Sequence, residues 1–117
     1  MIVAFSGSRI ESQARFYRVD DVLKRLPKDT VVHVGDCPTG TDAHVAYHCK
    51  KYGLQCVVFR ADWRTHGRKA GPLRNGRMLT DCEVLYAFPC DPGEGESRGT
   101  RDAIRQAEVL GLRVVIA

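Results

Sequence analysis

The sequence predicts an α/β protein: one Rossmann-like three-layer sandwich over residues 1–117, with a five-stranded parallel sheet in the order 3-2-1-4-5. Three observations carry that reading. Five short runs rich in β-branched residues recur along the chain. Segments with helical spacing alternate with them. The strands are apolar on both faces, as a parallel sheet covered on each side requires. The right-handed crossover rule leaves few topologies, of which the flavodoxin-like order is the rival.

The strands are IVAF (2–5), TVVHV (30–34), QCVVF (55–59), EVLYAF (83–88) and LRVVI (112–116). Phe16, Val19, Val22, Leu23 and Leu26 recur at steps of three and four, and Pro27 stops that helix. Ala43, Ala46, Tyr47 and Cys49 suggest the buried face of a second helix, closed by Gly53 as a left-handed C-cap. Residues from Leu73 to about Thr80 form the next helix candidate. Ala103, Ile104, Ala107 and Leu110 mark the last, ended by Gly111.

Composition narrows the class. A hydrophobic fraction of 44% is that of a globular chain, and no apolar run reaches the ~20 residues that span a bilayer. The start, MIVAFSGSR, has no basic region and too short an apolar run for a secretion signal, so a cytoplasmic protein is expected. Five cysteines, an odd number with no C-x-x-C pair, fit reduced thiols. The net charge of +4 suits either a nucleic acid or a small phosphorylated ligand held locally.

In such a sheet, ligands bind beyond the C-terminal strand ends, where the strand order reverses. The first strand leads into Gly7, Ser8 and Arg9, and the second into Gly35, Gly40 and Thr41. The third leads into a basic stretch holding Trp63 and Asn75, and the fourth into Ser97, Arg98, Gly99 and Thr100. Glycines admit close backbone approach to an anion, and a following helix adds N–H donors and a partial positive charge. One such loop is an ordinary strand–helix turn; four at one edge point to phosphate. Arg9, Thr41, Arg74, Ser97, Gly99 and Thr100 are the phosphate candidates, arginine offering a bidentate fork. Asp42 would hold a ribose hydroxyl or position a water, ionised beside arginines. Arg68, Lys69 and Arg77 read equally well as a solvated basic face.

The ordered set GSR, GTDAHVA, FRADWRTHGRKAGPLRNGRML and ESRGTRDAI resembles the small SLOG-superfamily proteins of the YspA, cpYpsA-related type, relatives of DprA and of the LOG phosphoribohydrolases. The resemblance covers nearly the whole chain. It implies a Rossmann-like fold and a site for nucleotides or nucleotide-derived ligands. In LOG enzymes an arginine in R-K-x-x-M and a glutamate in P-G-G-x-G-T-x-x-E serve release of a base from a ribose 5'-phosphate. Arg74 matches the first motif; Ala103 stands at the glutamate position, with ESR in place of P-G-G. Asp102 would point about 100° around the helix from there. Asp42 or Asp36 is the substitute carboxylate. Arg74 and Asp42 are thus the candidate catalytic residues, with no metal or cofactor expected.

Three other features have competing readings. His44 and His48, at i and i+4, lack the glutamate and third ligand of a zinc site and read as ordinary helix histidines. Cys37 follows the second strand, but a nucleophile needs an adjacent base, and His33 falls inside that strand. Trp63 either stacks on a base or covers the sheet end. Two functions compete: a nucleotide-binding sensor or phosphoribohydrolase-like enzyme, and a DprA-like binder of single-stranded nucleic acid drawing on the basic segment 60–77. Self-association of LOG relatives makes a homodimer the expected assembly.

Overall fold

The computed structural model describes residues 1–117. Its strands are β1 (Ile2–Gly7), β2 (Val31–Gly35), β3 (Gln55–Phe59), β4 (Val84–Phe88) and β5 (Arg113–Ile116). They form one parallel sheet in the order β3-β2-β1-β4-β5, as the sequence predicts. The helices are α1 (Gln13–Arg25), α2 (Thr41–Tyr52), α3 (Trp63–His66), α4 (Ala70–Leu79) and α5 (Arg98–Val109), with a 3-10 turn at Gly67–Lys69 joining α3 to α4.

Strand alternation sorts the core into two layers. Val3 and Phe5 of β1 and Val32 and Val34 of β2 meet Val19 and Leu23 of α1 and Val45 and Cys49 of α2. Ala4 of β1 and Leu85 of β4 face the other way, onto Met78 and Leu79 of α4 and Ala103 and Ala107 of α5. Among the strands, only the two at the edges leave large apolar side chains exposed, Val58 on β3 and Ile116 on β5. No helix is long and apolar enough to cross a membrane.

Two elements depart from the expected pattern. On α2 the buried face is His44, Val45, His48 and Cys49, while Ala46 and Tyr47 are exposed. The histidines tolerate burial because each has a partner: His44 Nε2 lies 3.0 Å from Glu11 Oε2, and His48 Nε2 lies 3.2 Å from the Phe16 carbonyl. Burial lowers the His48 pKa, against the pull of Asp20. The second departure is α4, which starts at Ala70, not Leu73. Pro72 sits in its first turn, where a missing N–H leaves no hydrogen bond unmade.

Candidate functional site

The strand order reverses between β1 and β4, and a cleft of about 790 Å3 opens there, at the C-terminal edge of the sheet. Its walls bring together Gly7, Ser8 and Arg9 after β1, Gly35 and Asp42 from β2 and α2, Trp63 and Arg68 from the arm after β3, Arg74 and Asn75 from α4, and Ser97, Arg98, Gly99 and Thr100 at the start of α5. Nearly all the residues singled out in the sequence therefore face one space. Gly40 and Thr41 do not line it.

Those two lie beneath the first loop. The Thr41 hydroxyl donates to the Ser8 carbonyl at 3.0 Å, and its N–H donates to the same oxygen at 2.9 Å. Gly40 has φ +71°, and a Cβ there would come within 2.5 Å of the Ser8 carbonyl oxygen, so only glycine fits the turn. Its N–H donates to Glu11 Oε1 at 2.7 Å. The carboxylate of Glu11 thus occupies the N-terminus of α2, the position the sequence offered to phosphate. The Gly40 N–H, and then His44, hold the Glu11 carboxyl below its ordinary pKa.

The N-terminus of α5 is different. No side chain caps it and its first turn carries no acid. Ser97, at the capping position, uses its hydroxyl to accept from the Cys90 N–H at 2.5 Å. Arg98 pairs with Glu96 at 2.7 Å on the cleft rim. Across the cleft, Ser8 is buried and its hydroxyl accepts from the Ile10 N–H at 3.1 Å. Arg9 is exposed and has no ion-pair partner within 4.0 Å, which leaves its guanidinium free for an anion.

Deeper in the cleft stands an acid–base group. Arg74 is nine-tenths buried and donates from Nη1 to Asp36 Oδ1 at 3.0 Å and from Nε to Asn75 Oδ1 at 3.0 Å. Asn75 in turn donates to Asp102 Oδ2 at 2.9 Å and to the Gly99 carbonyl at 3.2 Å, so it braces α4 against α5 and orients the arginine. Asp42 Oδ2 accepts from the Cys37 N–H at 3.1 Å. Gly35 makes room for the pair: a Cβ on it would lie 2.7 Å from both Arg74 Nη1 and Asp42 Oδ2. Burial dominates the Asp42 carboxyl and raises its pKa, against the Cys37 N–H and Arg74. That desolvation outweighs the nearby arginines expected to keep Asp42 ionised. A carboxyl raised in this way, next to an arginine and in a cleft, is suited to exchanging protons.

On α5 the structure revises the geometry expected of Ala103 and Asp102. Ala103 is fully buried among Ala4, Met78, Leu79 and Leu85, so a carboxylate at that position would enter the apolar core. Asp102 is the α5 acid that reaches the cleft, held by Asn75, by Gln106 at 2.8 Å and by Arg105 at 3.2 Å.

Cys37 faces a smaller recess of about 210 Å3 with Arg9, Pro38 and Trp63. His33 is turned to the opposite layer, its Nδ1 2.8 Å from the Met78 carbonyl, and is no base for it. The cleft also contains Arg68, Cys90, Glu96 and Asp102, which the sequence reading left outside the site. For Arg68 and Glu96 the signal was their place in loops at this edge; Cys90 carried none beyond following β4.

The model of the YspA, cpYpsA-related SLOG family matches residues 1–66, which include β1 to β3 together with Arg9, Asp42 and Trp63. The chain is also similar to the Gene 61 protein of Mycobacterium phage D29, 33% identical over 120 aligned residues, 97% of this chain and 93% of that protein. With its strand order and switch-point cleft, the chain belongs to the YspA, cpYpsA-related SLOG family.

Proposed function

We propose that the cleft binds a nucleotide or nucleotide-derived phosphorylated ligand, with its phosphate at the uncapped N-terminus of α5 and Arg9, and its sugar against Asp42 and Arg74. The observation that carries this reading is the pairing, in one cleft, of a helix N-terminus without a side-chain cap and an arginine without an ion-pair partner at one end with the Asp42–Arg74 group deeper in. The first suits a phosphate monoester. The second suits vicinal hydroxyls or a reacting C1' atom. A volume of about 790 Å3 is in the range of small-molecule sites and accommodates a nucleotide.

The finer reading is base release from a nucleoside 5'-monophosphate. The N-glycosidic bond breaks, its electron pair goes to the base, and a water oxygen bonds to C1'. Asp42 takes the water's proton and passes it on to the departing base, and Arg74 holds the sugar in place. The nucleic-acid reading has weaker support: Trp63 is the one exposed aromatic at this edge, with Tyr17 and Tyr47 standing on α1 and α2.

The test is a thermal-shift series with nucleoside mono-, di- and triphosphates and a short single-stranded DNA, followed by chromatography of the nucleotides that bind. At 100 times its Kd a ligand adds about 2.7 kcal/mol, a shift of roughly 10 °C for a domain of this size. Arg9→Ala and Arg74→Ala should abolish the shift. Free base and ribose 5-phosphate appearing with wild type but not Asp42→Asn would establish hydrolysis, and binding without release would establish a sensor. Stabilisation by DNA alone, steeply lost with salt, would replace the proposal with the nucleic-acid one.

A further inference from the structure

Residues 62–69 form a helical arm with an unusual property: all eight are exposed, although they are wound into α3 and the 3-10 turn. The hydrogen bonds that fix its shape are its own. Asp62 accepts from the Thr65 N–H at 3.1 Å, and its carbonyl accepts from the His66 N–H at 3.0 Å. No side chain of the arm hydrogen-bonds or ion-pairs with the rest of the protein, so Arg64, Arg68 and Lys69 are unpaired cations. Its visible anchor is Trp63, whose ring edge lies over Gly71 at the start of α4, 3.3 Å from where a Cβ would be. Trp63 is nevertheless 48% exposed, and with Arg68 it lines the cleft. A segment with so little buried surface opens at low free-energy cost, as binding lids do.

We propose that this arm closes on the bound ligand and that Trp63 is the specificity residue, its ring covering the nucleobase while Arg68 moves toward the phosphate-bearing side. The inference rests on the nucleotide reading above and adds to it a base-recognising element outside the rigid cleft. The indole supplies a flat apolar face for a base of any kind, and Arg68 supplies the charge that draws the arm inward. The arm would therefore separate nucleotides from sugar phosphates that lack a base.

Trp63 is the only tryptophan, so its emission reports the arm directly. AMP and ribose 5-phosphate are titrated by calorimetry and by Trp63 fluorescence, with GMP, CMP and UMP alongside. Trypsin cleavage after Arg64, Arg68 and Lys69 is timed with and without each probe. The expected result is quenching of Trp63 and slowed cleavage with AMP, and little of either with ribose 5-phosphate. Trp63→Ala should shrink the preference for AMP over ribose 5-phosphate by about 5- to 150-fold, the range base stacking supplies, and Trp63→Phe should restore most of it. If AMP binds while emission and cleavage do not move, or if Trp63→Ala keeps the preference, the arm plays no part and the nucleotide reading stands without it. If no nucleoside mono-, di- or triphosphate gives heat or stabilises the fold, both fall.

Discussion

Replacing Gly35 by alanine tests the acid–base group with a single methyl. The backbone tolerates the change, since Gly35 is not at positive φ, but the new Cβ would lie 2.7 Å from Arg74 Nη1 and from Asp42 Oδ2, and 3.1 Å from Arg74 Cζ. The arginine has little freedom to yield. It is nine-tenths buried and tied to Asp36 and Asn75, both at 3.0 Å. Moving it breaks at least the charge-assisted bond to Asp36, at a cost of about 1.5–3 kcal/mol. With an unfolding entropy of about 2.1 cal/mol/K per residue, 117 residues give about 0.25 kcal/mol/K, so Tm should fall by roughly 6–12 °C. Calorimetry of Gly35→Ala, Arg74→Ala and the double variant measures this. In the Arg74→Ala background the methyl has lost its main obstacle, so the double variant should fall short of the summed losses by about 1–2 kcal/mol. A Gly35→Ala protein with unchanged Tm, or strictly additive losses, would refute the idea that Gly35 holds open the space in which Arg74 and Asp42 meet.

Other perturbations follow from the same contacts. Burial raises the Asp42 carboxyl in the fold, so the native state holds that proton more tightly than the unfolded chain does. Relative to Asp42→Asn, wild type should be weakest above the folded pKa, gain stability as pH falls through it, and level off below the unfolded value of about 3.9; urea midpoints of both proteins from pH 7 to pH 3.5 measure the difference. Arg15 is fully buried and holds the Ile10 carbonyl at 3.0 Å together with Glu94 and Asp91 of the β4–α5 loop. Arg15→Met should lower the denaturant midpoint by cutting the tie from α1 to the Ile10 carbonyl and to Glu94 and Asp91, and should speed hydrogen exchange at residues 90–97 before it does so in the sheet. Ala103→Glu, which restores the residue type of the LOG motif, should not create activity. It should lower the denaturant midpoint sharply or prevent folding, because the side chain enters the core between α5 and β1. Asp102→Ala should leave the fold intact while weakening nucleotide binding, through loss of the Asn75 and Gln106 hydrogen bonds.

Strand order was legible because it rests on long-range regularities: five β-branched runs, alternating helices, and ligand-type loops following four of the strands. Side-chain direction was harder. On α2, counting histidine as polar placed Ala46 and Tyr47 inward, whereas His44 and His48 are buried because Glu11, Asp20 and the Phe16 carbonyl accompany them. Glu11 itself, which fills the α2 N-terminus, is 29 residues from Gly40, and no local pattern joins the two. The angular step from Ala103 to Asp102 was sound, yet which of them meets the core depends on how α5 docks on the sheet. A helical repeat alone does not contain that. That α4 begins at Ala70, ahead of the expected Leu73, was hidden by Gly71 and Pro72, which are weak helix formers away from a first turn.

The central pairing of the sheet has a consequence for how the protein comes to exist at all. β1 and β4 lie side by side, Val3 against Val84 and Gly7 against Phe88, some eighty residues apart in the chain. The strands of the N-terminal half, β1 to β3, can register among themselves as they emerge from the ribosome, but one long boundary of the cleft is missing until β4 arrives and brings α5 with it. No partially folded chain therefore carries a complete site. A ligand that recognises the cleft can draw only on the finished molecule, so it would act as a selective trap for completed chains, adding the same stability to any variant whose cleft keeps its affinity.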